Sequence, residues 1–193
     1  MENYFQYDVV LWLRERDEAA ARRLIDALYP QVIRIVRNHL LRGMDEQDLS
    51  QEVFVRFFNS LDRYDPSRPL ENWVSRLAVN VCLNALRARQ RRPELRWSDL
   101  SDPEQQAVDA LAQERPESEP PYREAKTLLE TLLEGLSAED RLVVSLLHLE
   151  ERPLTEIREL TGWPVAVIKM RAFRARRKLR KMLAALERQR RQE

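Results

Sequence analysis

Glycine, cysteine and histidine are nearly missing from this sequence. Its 193 residues include three glycines, two histidines (His39 and His148) and one cysteine, Cys82. A lone cysteine excludes an intramolecular disulfide and favours a reducing compartment. So few histidines and cysteines cannot form a His/Cys zinc cluster of recognised spacing, and no glycine-rich loop could cradle a phosphate. The sequence therefore predicts no metal site, no cofactor, no small-molecule substrate and no enzymatic activity.

Long apolar runs are also absent. No stretch approaches the roughly 20 apolar residues that a membrane-spanning helix needs, and the first residues lack a signal-peptide pattern. Together with the single cysteine, these absences predict a soluble protein of the cytoplasm.

Charge is balanced overall but unevenly distributed along the chain. The formal net charge is only +1, which excludes a uniformly basic coat. From Lys169 to Glu193, eleven lysines and arginines stand against two glutamates, a net of +9. The interval 94–124 holds nine acidic residues against three arginines, a net of −6. This asymmetry indicates a nucleic-acid contact near the C-terminal end.

Helical periodicity occurs on both sides of the acidic interval. Prolines and an Asp-Pro step mark a loop at 64–69, and four prolines with little periodicity make 94–121 irregular. Apolar spacing predicts helices over 9–14, 19–28, 31–41, 49–61 and about 70–92, and then over 123–136, 138–149, 154–160 and 164–188. Either Asp45 or Asp48 can open the helix over 49–61.

The helical pattern predicts an all-α fold, because no β-type alternation of any length occurs. We expect two small helical domains, residues 1–93 and 123–193, joined by a flexible acidic linker at 94–122.

The last two predicted helices have the form of a helix-turn-helix DNA reader. A short amphipathic helix meets a Thr161-Gly162 break, and a longer basic helix begins at Pro164. Two helices around a tight glycine-containing turn, the second one cationic, are typical of DNA binding. The second helix carries an apolar seam that must pack on its neighbours: Val165, Ile168, Ala172, Ala175, Leu179, Met182 and Leu186.

The opposite face of this basic helix combines cations with two large apolar side chains. Arg174 can pair with a guanine edge or a phosphate, and Met170 or Phe173 can contact a thymine methyl group. The alternative is a solvated charged face with incidental apolar residues. That alternative leaves Met170 and Phe173 exposed to water for no purpose, so we favour DNA reading.

A second basic helix, Trp73–Arg92, carries Asn80, Asn84 and terminal arginines beside the proline-containing loop. Asparagine and arginine side chains at such a place can bind a base of single-stranded DNA that is held outside the stack. The alternative is that the arginines only interact favourably with the dipole at the C-terminal end of the helix.

Three segments of the chain follow one another in order: DEQDLSQEVFVRFF at 45–58, LDRYD…ENWVSRLAVN at 61–80, and EIRELTGWPVAVIKMRAFRARRKL at 156–179. In order and spacing they resemble the extracytoplasmic-function (ECF) sigma factors of bacterial RNA polymerase.

The resemblance implies three functional sets of residues in this chain. The first segment would dock on core polymerase through Asp48, Gln51, Glu52, Val55 and Phe58. The second would capture a flipped base of the −10 element through Tyr64, Asp65, Ser67, Arg68, Arg76, Asn80, Asn84 and Arg87. The third would contact the −35 element through Lys169, Met170, Arg171, Phe173, Arg174 and Arg177.

The same resemblance implies the partners. These are core RNA polymerase, promoter DNA and an anti-sigma protein, which in the family is often membrane-attached. The acidic linker would thread towards the polymerase active site, or would serve only as a solvated tether. Two other functions stay open: a stand-alone helix-turn-helix transcription regulator, and an adaptor that uses its helices for protein contacts.

Overall fold

The computed structural model describes residues 2–41, 43–91 and 120–190, and the regular secondary structure in these ranges is helical. The all-α prediction is confirmed for this part of the chain. Its α-helices are α1 Glu2–Glu15, α2 Glu18–His39, α3 Glu46–Ser60, α4 Leu70–Arg91, α5 Pro120–Glu134, α6 Ala138–Val144, α7 Leu154–Thr161 and α8 Val165–Arg190.

Helices α1 to α4 form the N-terminal group. Asp17 caps α2 by accepting the backbone N–H of Ala20 at 2.9 Å, and Asp45 caps α3 by accepting those of Gln47 and Asp48. Asp45 is one of the two starts that the sequence allowed for α3. The buried side chains of these helices recur at helical spacing and face one another, so packing reinforces each helix.

Two predicted boundaries in this group are wrong. Helix α1 starts at Glu2, seven residues before the predicted start, and α2 runs without a break through Pro30. Proline lacks an N–H donor, but the exposed position of Pro30 allows solvent to satisfy the carbonyl that loses its partner.

Helices α5 to α8 form the C-terminal group. Ser137 caps α6 by accepting the N–H of Asp140 at 3.2 Å. The predicted helix 138–149 is α-helical only to Val144, and Ser145–Leu149 is a π-helical turn. A chain reversal follows, in which Glu151 takes a φ of +53° before α7 begins.

The predicted acidic linker lies almost wholly outside the described residues. Only its last three positions, 120–122, are described, and they belong to α5 rather than to a linker. Proline at the start of that helix fits, because the first helical N–H groups need no partner within the helix.

The two helical groups pack directly on each other. One continuous hydrophobic core extends from α1–α4 into α6, α7 and α8, and α4 contacts both α6 and α7. A smaller cluster of Leu133, Leu136, Val144 and Ala175 joins α5, α6 and α8. The sequence predicted two tethered domains and did not predict this contact.

Candidate nucleic-acid interface

The helix-turn-helix is built on a left-handed glycine. Gly162 takes a φ of +73° between α7 and α8, and its N–H donates to the carbonyl of Arg158 at 2.8 Å. Residues other than glycine adopt this backbone region at a cost, which explains glycine at the turn. Ile157 of α7 and Ile168 of α8 are fully buried across the turn, so the two helices are fixed relative to each other.

The predicted seam of α8 is confirmed. Ile168, Ala172 and Ala175 are buried, and Val165, Leu179, Met182 and Leu186 are half-buried.

The opposite face of α8 is open to solvent. Phe173 is 62% exposed and Met170 is 50% exposed, which is unusual for side chains of this size. Lys169, Arg174 and Arg177 are exposed beside them. The structure thus brings five of the six predicted −35 residues onto one surface, where cations could pair with phosphates or guanine and the apolar pair could meet base methyl groups.

Arg171 is the exception in that set. Its side chain is only 23% exposed, its Nη1 lies 3.2 Å from Asp140 Oδ1, and its guanidinium stacks 4.9 Å from the centre of the Trp163 ring. These contacts hold it beside the N-terminus of α6 rather than on the exposed face.

The loop between α3 and α4 is shaped by its own side chains. A 3₁₀ turn, Leu61–Arg63, precedes it. Tyr64 Oη donates to the carbonyl of Arg68 at 2.6 Å, and Asp65 Oδ1 accepts the N–H of Ser67 at 3.0 Å. The hydroxyl and backbone N–H of Ser67 both donate to Asp65, which lowers the pKa of that carboxyl below its ordinary value. The loop therefore keeps one shape, with an ionised aspartate at its tip.

A cavity of about 110 Å³ opens at this loop. The ring of Tyr64 lies 5.4 Å from that of Trp73, which in turn lies 5.6 Å from the buried Phe57. The aromatic row ties the loop to the core. The cavity is lined by Phe5, Tyr64, Pro66, Ser67, Arg68, Pro69, Leu70 and Glu71.

Phe5 is a lining residue that the sequence did not reveal. It belongs to α1 and stands about sixty positions from the loop in the chain. No local pattern marks it, since only the packing of α1 against the loop brings it there.

The polar residues of α4 lie on a face that turns towards the C-terminal group. A Cβ built on Gly162 would lie 3.2 Å from Nη2 of Arg76, and Nε of Arg87 lies 2.8 Å from Glu139 Oε1. Asn80 is half-buried between them, and Asn84 is exposed. The structure therefore does not gather Arg76 and Arg87 beneath the loop cavity in this arrangement.

The predicted polymerase-binding residues lie on α3. Asp48, Gln51, Glu52 and Val55 are exposed and share one helix face. Phe58 departs from that face, because its ring packs 4.8 Å from Trp12 of α1 and 4.9 Å from Phe57. It supports the surface rather than extending it.

The described ranges contain no group of three or more potential metal-ligating side chains. Within them, no helix combines the length and the apolar character required to cross a bilayer.

Two family models match the chain. "Sigma-70 region 2" covers residues 24–92, which hold α4, the loop and α3, and "Sigma-70, region 4" covers residues 126–179, which hold the helix-turn-helix. Among curated proteins, the ECF RNA polymerase sigma factor SigW of Bacillus subtilis is 25% identical over 90% of this chain and 94% of its own length. SigE of Mycolicibacterium smegmatis is 29% identical over 90% of this chain and 71% of its own length. The sigma-E factor of Escherichia coli is 26% identical over 85% of this chain and 86% of its own length.

Solved structures share the fold. CnrH, solved in complex with the cytosolic domain of CnrY, superimposes with a TM-score of 0.55 at 20% identity, over 95% of this chain and 97% of that one. The sigma factor RpoE of Bartonella quintana, solved with the anti-sigma factor NepR, gives 0.52 at 16% identity, over 84% and 96%. The chain matches sigma-70 regions 2 and 4 in that order, and the relatives named above are ECF sigma factors that align over most of their length. This chain therefore belongs to the ECF sigma factors, which are transcription initiation factors of RNA polymerase.

Proposed function

We propose a division of labour between the two helical groups of this sigma factor. A domain of residues 1–93 binds core polymerase and holds the melted −10 element, and a domain of residues 123–193 anchors on duplex −35 DNA. The observation that carries this proposal is the exposed face of α8, where Phe173 and Met170 stand uncovered among cations. The intervening residues, which end where α5 begins at Pro120, connect the two DNA-binding domains.

The −35 contact uses α8 as a recognition helix in the major groove. Arg174 and Lys169 read guanine edges, and Met170 and Phe173 contact thymine methyl groups. Arg177 and Arg171 pair with the phosphate backbone, which fixes the register. Because the seam of α8 packs on the neighbouring helices, the backbone of the exposed face is already ordered, and only its side chains lose entropy on binding.

Replacing Arg174 by alanine is expected to weaken −35 binding by about 1–3 kcal/mol and to relax selectivity at a single base pair. Binding of duplexes substituted at each −35 position measures this. Arg177→Ala is the matched control, since loss of a phosphate contact should weaken all sequences equally. An unchanged ranking of promoters in Arg174→Ala would remove Arg174 from the base-reading set.

The −10 contact uses the loop cavity and the polar face of α4. A base extruded from the stack needs a preformed pocket with an aromatic wall and hydrogen-bonding groups, and Tyr64, Ser67 and Arg68 line such a pocket, while Asp65 fixes Ser67 beside it. Beyond the pocket, the single-stranded −10 DNA runs along the polar face of α4 and contacts Arg76, Asn80, Asn84 and Arg87.

Replacing Asn80 by alanine is expected to slow open-complex formation by about tenfold, the equivalent of one lost hydrogen bond to DNA, while −35 binding stays intact. Permanganate footprinting of the melted region and a duplex −35 binding assay separate the two effects. Equal loss in both assays would point to misfolding and would contradict the assigned role.

The exposed face of α3 supports a contact with core polymerase through Asp48, Gln51, Glu52 and Val55. Phe58 packs against Trp12 beneath this face and stabilises it.

The deciding experiment is transcription with purified core polymerase over a genomic promoter library. We expect promoter-specific initiation that depends on this protein. A stand-alone regulator would instead bind duplex DNA and require a separate sigma factor, and failure to co-purify with core polymerase would favour it.

An anti-sigma protein, in some cases attached to a membrane, is the third proposed partner. Support comes from the neighbouring structure in which RpoE is bound to the anti-sigma factor NepR. The protein has no catalytic activity of its own in this proposal. It acts in the cytoplasm, where core polymerase carries out the chemistry.

A further inference from the structure

The contact between the two helical groups engages Arg87, an arginine that the proposed function assigns to DNA. Its carboxylate partner also meets Arg171, but that second pairing lies within the C-terminal group. Arg87 of α4 and Arg171 of α8 come from different groups, and both meet the first turn of α6. Arg87 Nε lies 2.8 Å from Glu139 Oε1, while Arg171 Nη1 lies 4.0 Å from Glu139 Oε2 and 3.2 Å from Asp140 Oδ1. Two adjacent carboxylates thus hold one cation from each DNA-binding surface.

The contact is fixed by directional hydrogen bonds as well as by charge. Gln90 uses both ends of its amide: Nε2 donates to the carbonyl of Leu136 at 2.8 Å, and Oε1 accepts the N–H of Ala138 at 3.1 Å. The buried Arg141 donates through Nη2 to the carbonyl of Leu40 at 3.0 Å. The bonds of Gln90 require one register between α4 and the start of α6, and the bond of Arg141 fixes α6 against the end of α2, so this is a specific interface.

The interface also covers part of the polar face of α4. The guanidinium of Arg76 lies against the turn at Gly162, within 3.2 Å of where a Cβ would be. Arg76 itself stays exposed, but a DNA strand running along α4 from Arg76 would meet the turn at Gly162 and would have to displace the carboxylate of Glu139 from Arg87. Closure of the two groups and DNA binding along α4 therefore exclude each other.

We propose that this closed arrangement is an autoinhibitory contact, in which Glu139 of the C-terminal group takes the place of a DNA phosphate on Arg87 of α4. This inference rests on the proposed function. A carboxylate and a phosphate present similar oxygen pairs to a guanidinium, so each excludes the other. DNA and core polymerase bind the open form, so part of the binding free energy of each is used to open the closed form.

Two variants weaken closure by different means. Glu139→Gln removes the shared carboxylate. Gln90→Ala removes the two bonds to α6 without any change of charge. Glu18→Gln is the matched control, because Glu18 is an exposed first-turn glutamate of α2 and lies about 30 Å along that helix from its interface end. It changes the net charge of the protein as Glu139→Gln does.

Closure is measured by single-molecule energy transfer between dyes on Asn59→Cys and Thr155→Cys, both exposed positions, in the full-length chain. Burial raises the pKa of the Cys82 thiol to about 12, so the native cysteine does not compete for the dyes. We expect a larger low-transfer population in Glu139→Gln and in Gln90→Ala, and no change in Glu18→Gln.

DNA binding is measured with a labelled duplex of random sequence and repeated with purified core polymerase. We expect Glu139→Gln to bind the duplex about 2- to 5-fold more tightly than Glu18→Gln, and Gln90→Ala to exceed the wild type by the same factor. Unchanged energy transfer in both variants would overturn the inference, as would opening without any gain in affinity. If the chain opens but no variant binds DNA or core polymerase, the proposed function fails and the closure is purely structural.

Discussion

Phe57→Ala is expected to lower the free energy of unfolding by about 3–5 kcal/mol, the range for a large aromatic side chain removed from a packed core. Phe57 is fully buried and its ring contacts those of Phe58 and Trp73, at 4.9 and 5.6 Å. Because these neighbours are held on α3 and α4, they cannot collapse fully into the space that Phe57 leaves. Urea unfolding followed by circular dichroism measures the loss.

Val55→Ala is the control for that experiment. Val55 stands two positions away on α3 but is 51% exposed, so its truncation should change the free energy of unfolding by no more than about 0.5 kcal/mol. Because Val55 belongs to the proposed polymerase surface, the same variant should lose affinity for core polymerase. A loss of stability as large as that of Phe57→Ala would contradict the placement of the two residues.

Glu150→Gln is expected to cost about 3 kcal/mol of unfolding free energy near neutral pH, because it removes the anionic member of a buried cluster. The Glu150 side chain is 7% exposed; His39 Nε2 lies 3.1 Å from one carboxylate oxygen, and Arg152 Nε donates to the other at 2.8 Å. Burial acts to raise the pKa of Glu150, but the contacts with His39 and Arg152 outweigh it and hold the pKa at about 2.

The cost of Glu150→Gln should depend on pH in one direction. A carboxyl whose pKa is lowered by folding stabilises the folded state above its ordinary pKa of 4.5, and that contribution disappears as the pH falls from 4.5 towards 2. The difference between wild type and Glu150→Gln should therefore shrink as the pH falls from 4.5 towards 2. Glu151→Gln, an exposed neighbour, serves as control. A difference that persists unchanged into acid would mean that Glu150 acts by packing alone.

The regular features of this protein could be predicted from short stretches of sequence. The sequence allowed two starts for α3, and Asp45, one of the two, is its N-cap. The sequence also predicted the proline-containing loop before α4 and the buried seam of α8, and both agree with the structure. Helix periodicity, capping and turn preference act over a few residues, so the sequence carries them directly. The break predicted near Pro30 failed, since packing of the whole α2 face outweighs one missing hydrogen bond.

The candidate site could be predicted only in part. Phe5 joins the loop cavity from another helix, and Phe58 turns under α3 although it continues the predicted polymerase face. Arg171 and Arg174 look alike in the sequence and stand one helical turn apart. In the structure Arg171 pairs with Asp140 and stacks on Trp163, whereas Arg174 is exposed, and no local pattern distinguishes the two.

By itself, the sequence determined the helices, the helix-turn-helix and the three ordered segments of an ECF sigma factor, because each depends on neighbours within a few turns. Only the tertiary structure decided which of the cations are exposed and which are paired. Arg87 meets Glu139 across 52 positions of chain, and Arg141 meets the carbonyl of Leu40 across 101. No local pattern encodes such pairs, since they arise only where α4 and the end of α2 pack against α6.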